Sequence, residues 1–339
     1  MLSKIKLKLL ELGFTEKDMI DIKNTYCMTN CKGKIFYQKI YEVYLCFLKI
    51  GYNHEQTMTI IRGCPTICVY EGETIREKIS DLVDFGYTKK EVIKMTVLFP
   101  KIFSLGIDNL KLKINNMINL GYTREEVLKM TLKLPVVYAY TKNNIDKKIS
   151  DLINYGYEYK MILKIIKNFP NILSYKMQNI EDKLSNIMSF GYTKEDIISM
   201  SGRFPALLGY NIDSMKKKIS ELINLGYDKK DVIEMTKSFP VIFGLSIDTI
   251  KEKKMFYDSI GLGDVLIKKP MMMMQSVELS YARYMFYKSI GIEINMSNYL
   301  WLFLLQNCFK KRYGIDNKEL VNLYSYNDYL EKCKKRQLV

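Results

Sequence analysis

Apolar positions along this chain recur at helical spacing, and the blocks that carry them recur at a fixed interval. In the stretch GYTKEDIISMSGRFPALLGYNIDSMKKKISELINL, Gly191–Leu225, the residues Ile197, Ile198, Met200 and Phe204 mark a first helix. Pro205 cannot continue it but suits the first turn of a short second helix, expected over Pro205–Leu208. Ile212, Met215, Ile219, Leu222 and Ile223 then mark a longer third helix, with Asn211 or Asp213 to cap its start. Thr193 with Asp196 predicts a capping box on the first helix, as do Thr88 with Glu91 and Thr123 with Glu126. Gly226 fits the left-handed position after a helix, with Tyr227 packing back on the last turn. No stretch carries a strand signal.

The period is plain in two residue types. Gly-Tyr recurs at residues 51, 86, 121, 156, 191 and 226, each step being 35 residues, and the next step lands on Gly261-Leu262. The seven prolines keep the same beat at 65, 100, 135, 170, 205, 240 and, shortened, 270. A fixed period of this length means stacked units that bury a continuous core between neighbours. The expectation is an all-α solenoid or superhelix of about seven to eight three-helix repeats. Residues 1–50 read as a degenerate N-terminal capping repeat and 51–260 as six regular repeats. Residues 261–339 read as a shortened repeat and a divergent basic cap, with Trp301 and the run Lys332 to Arg336. Together they form one continuous solenoid.

The 339 residues carry 52 Lys and Arg against 37 Asp and Glu, a formal charge of +15, and their 48% hydrophobic content excludes disorder. One histidine, His54 at a helix start, and the lack of any glycine-rich phosphate loop count against an enzyme. Seven cysteines in a chain too large to need staples read as reduced thiols. Cys27 with Cys31 and Cys64 with Cys68 have helical i, i+4 spacing, but this is not the two-residue knuckle of common zinc sites. Buried free thiols are the preferred reading, and no cofactor or metal is expected. No apolar run approaches the roughly 18 to 20 residues of a membrane span. The start MLSKIKLKLLELGFTEKDMI has neither a secretory apolar core nor transit-peptide composition. The expected location is therefore intracellular, cytoplasmic or nucleoid-associated, or the mitochondrial matrix if a transit peptide is missing from this chain.

Aligning the repeats exposes one invariant charged column, 27 residues after each glycine: Lys78, Lys113, Lys148, Lys183, Lys218 and Lys253. At 100° per residue these lysines lie about 60° from the centre of the apolar stripe, at its edge. Two readings compete. Their stems can line the seam between repeats while the heads stay in water, or the heads can form a line of cations matching a polyanion backbone. The second is preferred, with Arg203, Lys216 and Lys217 as further nucleic-acid contacts, and Arg62 and Lys237 as secondary candidates. Lysine supplies point charges and only seven arginines are present, so base reading at guanine edges is not advertised. The tyrosines of the Gly-Tyr column, and Tyr140, Tyr175 and Tyr210, are expected to pack in the core. The favoured partner is duplex DNA, with RNA and an additional partner protein as alternatives, and the expected state is a monomer. A protein-binding helical scaffold is the rival from another class.

These motifs resemble the mitochondrial transcription termination factor (mTERF) family. The resemblance rests on the Gly-Tyr–Thr–x–x–acid start and on Phe-Pro followed by apolar residues, as in Phe99-Pro100, Phe169-Pro170, Phe204-Pro205 and Phe239-Pro240. It continues in Ser246-Ile247-Asp248 and in the segment Ser280–Ile292, and covers roughly residues 50–315. It implies a left-handed superhelix of three-helix repeats whose basic concave face binds nucleic acid. Family members act in organellar transcription termination or initiation, in transcript processing, or with ribosomal RNA. The family's nucleic-acid face is usually richer in arginine than this chain.

Overall fold

A computed structural model describes residues 4–24 and 34–327, and among them only helices and turns occur. The chain forms two compact units, residues 1–175 and 176–339. The first holds the helices Lys4–Glu11, Glu16–Lys23 and Lys34–Ile50, then three complete repeats and the first two helices of a fourth. The second opens on the long helix Met177–Met188 and continues with two complete repeats, a shortened one, and a terminal cap.

Each repeat follows the predicted plan. In the one starting at Gly86, the helices are Lys89–Leu98, a 3-10 helix Pro100–Ser104, and Ile107–Asn119. Thr88, Thr123 and Thr193 cap their helices in complete capping boxes with Glu91, Glu126 and Asp196. Asn211, not Asp213, caps the long helix Ile212–Asn224 by accepting from the Ser214 N–H. The residue before each proline is pushed out of the helical region by the pyrrolidine ring. From Cys64 through Phe99, Leu134, Phe169, Phe204 and Phe239 to Lys269, its φ lies between −134° and −143°. The short helix runs one residue further than expected, to Gly209. At the other end of the repeat Gly156 takes φ +117°, and Tyr157 N–H returns to Leu152 O at 3.0 Å, which turns the chain into the next first helix.

The tyrosine after each of these glycines is buried, as expected, and most reach a polar partner in the next repeat. Tyr52, Tyr87 and Tyr192 hydroxyls pair with Thr96, Thr131 and Thr236 at 2.8, 2.5 and 2.6 Å. Ile166 stands at the threonine position of the fourth repeat, and there Tyr122 donates to Leu163 O at 2.9 Å instead. Tyr227 finds no partner, because Leu266 occupies that place in the shortened repeat. Tyr140, Tyr175 and Tyr210 are only half-buried, at the ends of the 3-10 helices. Their hydroxyls lean on the next turn: a Cβ on Gly244 would fall 2.5 Å from the Tyr210 hydroxyl.

The terminal cap comprises Tyr299–Phe303, Gln306–Tyr313 and Asn317–Leu323. It is held to the helix Val277–Ser289 by Arg283, which is 1% exposed. Its guanidinium donates to Leu302 O and Asn317 Oδ1, both at 2.9 Å, and lies 4.8 Å from the centre of the Phe309 ring. Replacing Arg283 by Ala leaves a cavity and two unmatched acceptors, so a loss of about 3 kcal/mol is expected. Hydrogen exchange should show the loss confined to residues 277–323, with residues 34–175 protected as before.

Candidate nucleic-acid interface

The lysine column sits where its spacing places it, on the seam between successive repeats, but its heads are not in open water. Lys78, Lys113 and Lys183 donate to the carbonyls of Leu105, Tyr140 and Tyr210 at 3.2, 2.6 and 2.6 Å. Lys148 donates to Tyr175 O, and Lys253 to Gln275 O at 2.5 Å. Each acceptor closes the 3-10 helix of the following repeat, where the last carbonyls have no helical partner. Lys183 takes a second carbonyl as well, Leu208 O at 2.8 Å. Burial pulls the ammonium pKa of Lys113, Lys148, Lys183 and Lys253 below its ordinary value.

This corrects the picture of six open ammonium groups. Lys148 and Lys253 are 8% and 5% exposed, too enclosed for a phosphate to reach. Lys78, Lys113 and Lys183 are half-buried and already hold carbonyls. Lys218 is the exception in partner, lying 3.3 Å from Glu221 with its side chain 11% exposed. The invariance has a local cause: only a long donor arm reaches across a repeat boundary to a carbonyl that nothing else satisfies.

The arginines are committed in the same way. Arg203 donates to Ser238 O and Lys237 O at 3.0 and 2.7 Å, capping the end of the next first helix. Arg62 holds Gly13 O and the Asp18 carboxylate, and this contact, with the Thr15 cap, lowers the Asp18 pKa against its burial. Lys237 pairs with Asp196 and Glu234 at 3.3 and 3.0 Å. Of the expected contacts, Lys216 and Lys217 alone stand fully exposed without a carbonyl, and Lys217 lies 3.9 Å from Glu221.

No metal centre accompanies this arrangement among the described residues, where no cluster of three His, Cys, Asp or Glu could hold a metal ion. Cys27 and Cys31 lie outside the described residues. Cys64 and Cys68 are buried, and burial drives the Cys68 thiol pKa far up. None of the described helices is long and apolar enough to cross a membrane. His54 is exposed and shares a 2.9 Å hydrogen bond with the Tyr44 hydroxyl.

The free positive charge lies elsewhere. In the six repeats that start at Gly51 to Gly226, the long helices carry fourteen cations and fourteen acids. The first helices carry fifteen cations against eight acids. Column-by-column alignment misses this excess, because no single first-helix position is filled in every repeat. Counting charge by helix would have found it.

Residues 8–119 and 108–223 match the mTERF family in two overlapping segments, which together span more than half the chain. The chain belongs to the mTERF family. The mTERF match and the helical-repeat fold agree, and the family is one of nucleic-acid-binding helical-repeat proteins. No curated protein matches the chain.

Proposed function

We propose that this mTERF-family chain binds nucleic acid, with duplex DNA as the favoured form, and acts in transcription termination or regulation. The observation that carries the reading is the charge excess of the first helices on a family fold that binds nucleic acid. Lys216 and Lys217 remain phosphate contacts in this reading, and the lysine column and Arg203 hold the repeats in register. Point charges without free arginine forks favour backbone grip over base reading. RNA is the alternative ligand within the same family, and the two call for different geometry on an otherwise similar phosphate grip.

The test is fluorescence anisotropy of the full chain against matched duplex DNA, duplex RNA and single strands over a salt series. The expected result is tightest binding to duplex DNA, with log K falling linearly as log salt rises. A preference for duplex RNA or single strands would move the function to RNA. Binding no tighter than about millimolar to any of them at low salt, weaker than ordinary non-specific binding, would overturn the reading.

A further inference from the structure

We propose that the phosphate backbone docks on the outward face of three consecutive first helices, Lys89–Leu98, Arg124–Lys133 and Tyr159–Asn168. This inference rests on the nucleic-acid reading above and supplies its location. The three helices pack side by side within the first unit. Their inward positions are buried: Val92 and Met95, Val127 and Met130, Ile162 and Ile165. Positions 160° to 200° around the helix from Val92 and its equivalents must face outward. Those positions hold Lys90 and Lys94, Glu125 and Lys129, and Lys160 and Lys164, all exposed.

Lys133 adds a further exposed cation at the end of the middle helix. Together the three helices hold nine cations against three acids. The acids are engaged: Glu91 and Glu126 close capping boxes, Glu126 also pairs with Lys167, and Glu125 lies 2.6 Å from Lys129. Lys90, Lys94, Lys133, Lys160 and Lys164 form no ion pair among the described residues.

The patch also has edges. The equivalent outward pair is Glu55 and Thr59 in the repeat before, and Glu195 and Ser199 in the repeat after. A charge spread for solubility alone would have no reason to stop at both sides. Lysines four residues apart on one helix stand about 6 Å apart, and packed helices lie about 8–10 Å apart. The result is a grid of flexible point charges with a spacing that neighbouring phosphates can meet. It has no planar donor for base edges, so it supplies affinity and salt dependence, with sequence preference left to other contacts.

The experiment compares the full chain with a variant carrying K90Q, K94Q, K129Q, K133Q, K160Q and K164Q, by anisotropy against the best-bound form over a salt series. A second variant carries K216Q and K217Q. All eight side chains are exposed, and circular dichroism checks that the fold is kept. The six-fold variant is expected to bind at least about 10-fold more weakly near 0.1 M salt. Its log–log salt slope should be shallower by about 3, close to one for each phosphate no longer gripped. If the parent binds and the six-fold variant matches its affinity and slope, the location is wrong while the nucleic-acid reading stands. A loss seen only with K216Q and K217Q overturns it in the same way. If the parent itself does not bind, both fail.

Discussion

Replacing Lys113, Lys148 and Lys183 together by methionine is expected to destabilise the protein by about 3–6 kcal/mol while leaving its salt-dependent binding nearly unchanged. Methionine keeps the apolar stem in the seam and removes the donor. The carbonyls of Tyr140, Tyr175 and Tyr210 then lose the ammonium that ties them to the preceding repeat. A charged hydrogen bond contributes about 1.5–3 kcal/mol. Burial of the ammonium offsets part of this, as the lowered pKa values show, so about 1–2 kcal/mol remains per lysine. The three sites lie in successive repeats with different acceptors, so their effects should add. Against a typical total of about 5–15 kcal/mol this is a large loss. Urea unfolding followed by circular dichroism reads the first half of the prediction, and the anisotropy salt slope reads the second. Unchanged stability with a shallower slope would return the column to the phosphate backbone.

The fold was legible because the signals that build it are local and repeated. A proline must break a helix, a threonine with an acid three residues on caps one, and a glycine at positive φ ends one. None of these depends on what lies across the seam. The lysine column shows the limit: its angular position was readable from Lys148 and its equivalents, but the acceptor was not. Tyr175 O is 27 residues away and becomes an orphan only once the 3-10 helix has formed. Invariance in a repeat therefore signalled a shared structural task. The variable positions Lys90, Lys129 and Lys164, which alignment by column discards, carry the open charge. Arg203 was misleading for the same reason, since its carbonyl partners Lys237 and Ser238 belong to the next repeat.

The buried tyrosines give the second large effect, a cooperative alkaline unfolding near pH 11. Burial pushes the Tyr52 and Tyr192 phenols up to about 12, with Thr96 and Thr236 only partly opposing it. Tyr87, Tyr122, Tyr227, Tyr257 and Tyr287 are raised by burial as well. In the unfolded chain a tyrosine ionises near pH 10. Between these values the unfolded chain has lost the proton and the folded one has kept it, so folding stability falls as pH rises. The contribution is whole below about pH 10 and is lost progressively towards pH 12. For each buried phenol, stability falls by about 1.36 kcal/mol for every pH step of one across this window. Seven such tyrosines together remove about 10 kcal/mol by pH 11. Lys113, Lys148, Lys183 and Lys253 act in the opposite sense, since their pKa values are lowered and stability gains as they deprotonate. Their heads are less deeply buried than the phenols, so the tyrosines prevail. Tyrosinate absorbance and far-ultraviolet circular dichroism, recorded together from pH 8 to 12, should show the core tyrosines ionising in the same step that loses the helices. Full ionisation near pH 10 with the helices intact would mean that water reaches these phenols. Replacing Tyr192 by Phe removes one titrating group, and the fall in stability above pH 10 should become shallower by that group's share.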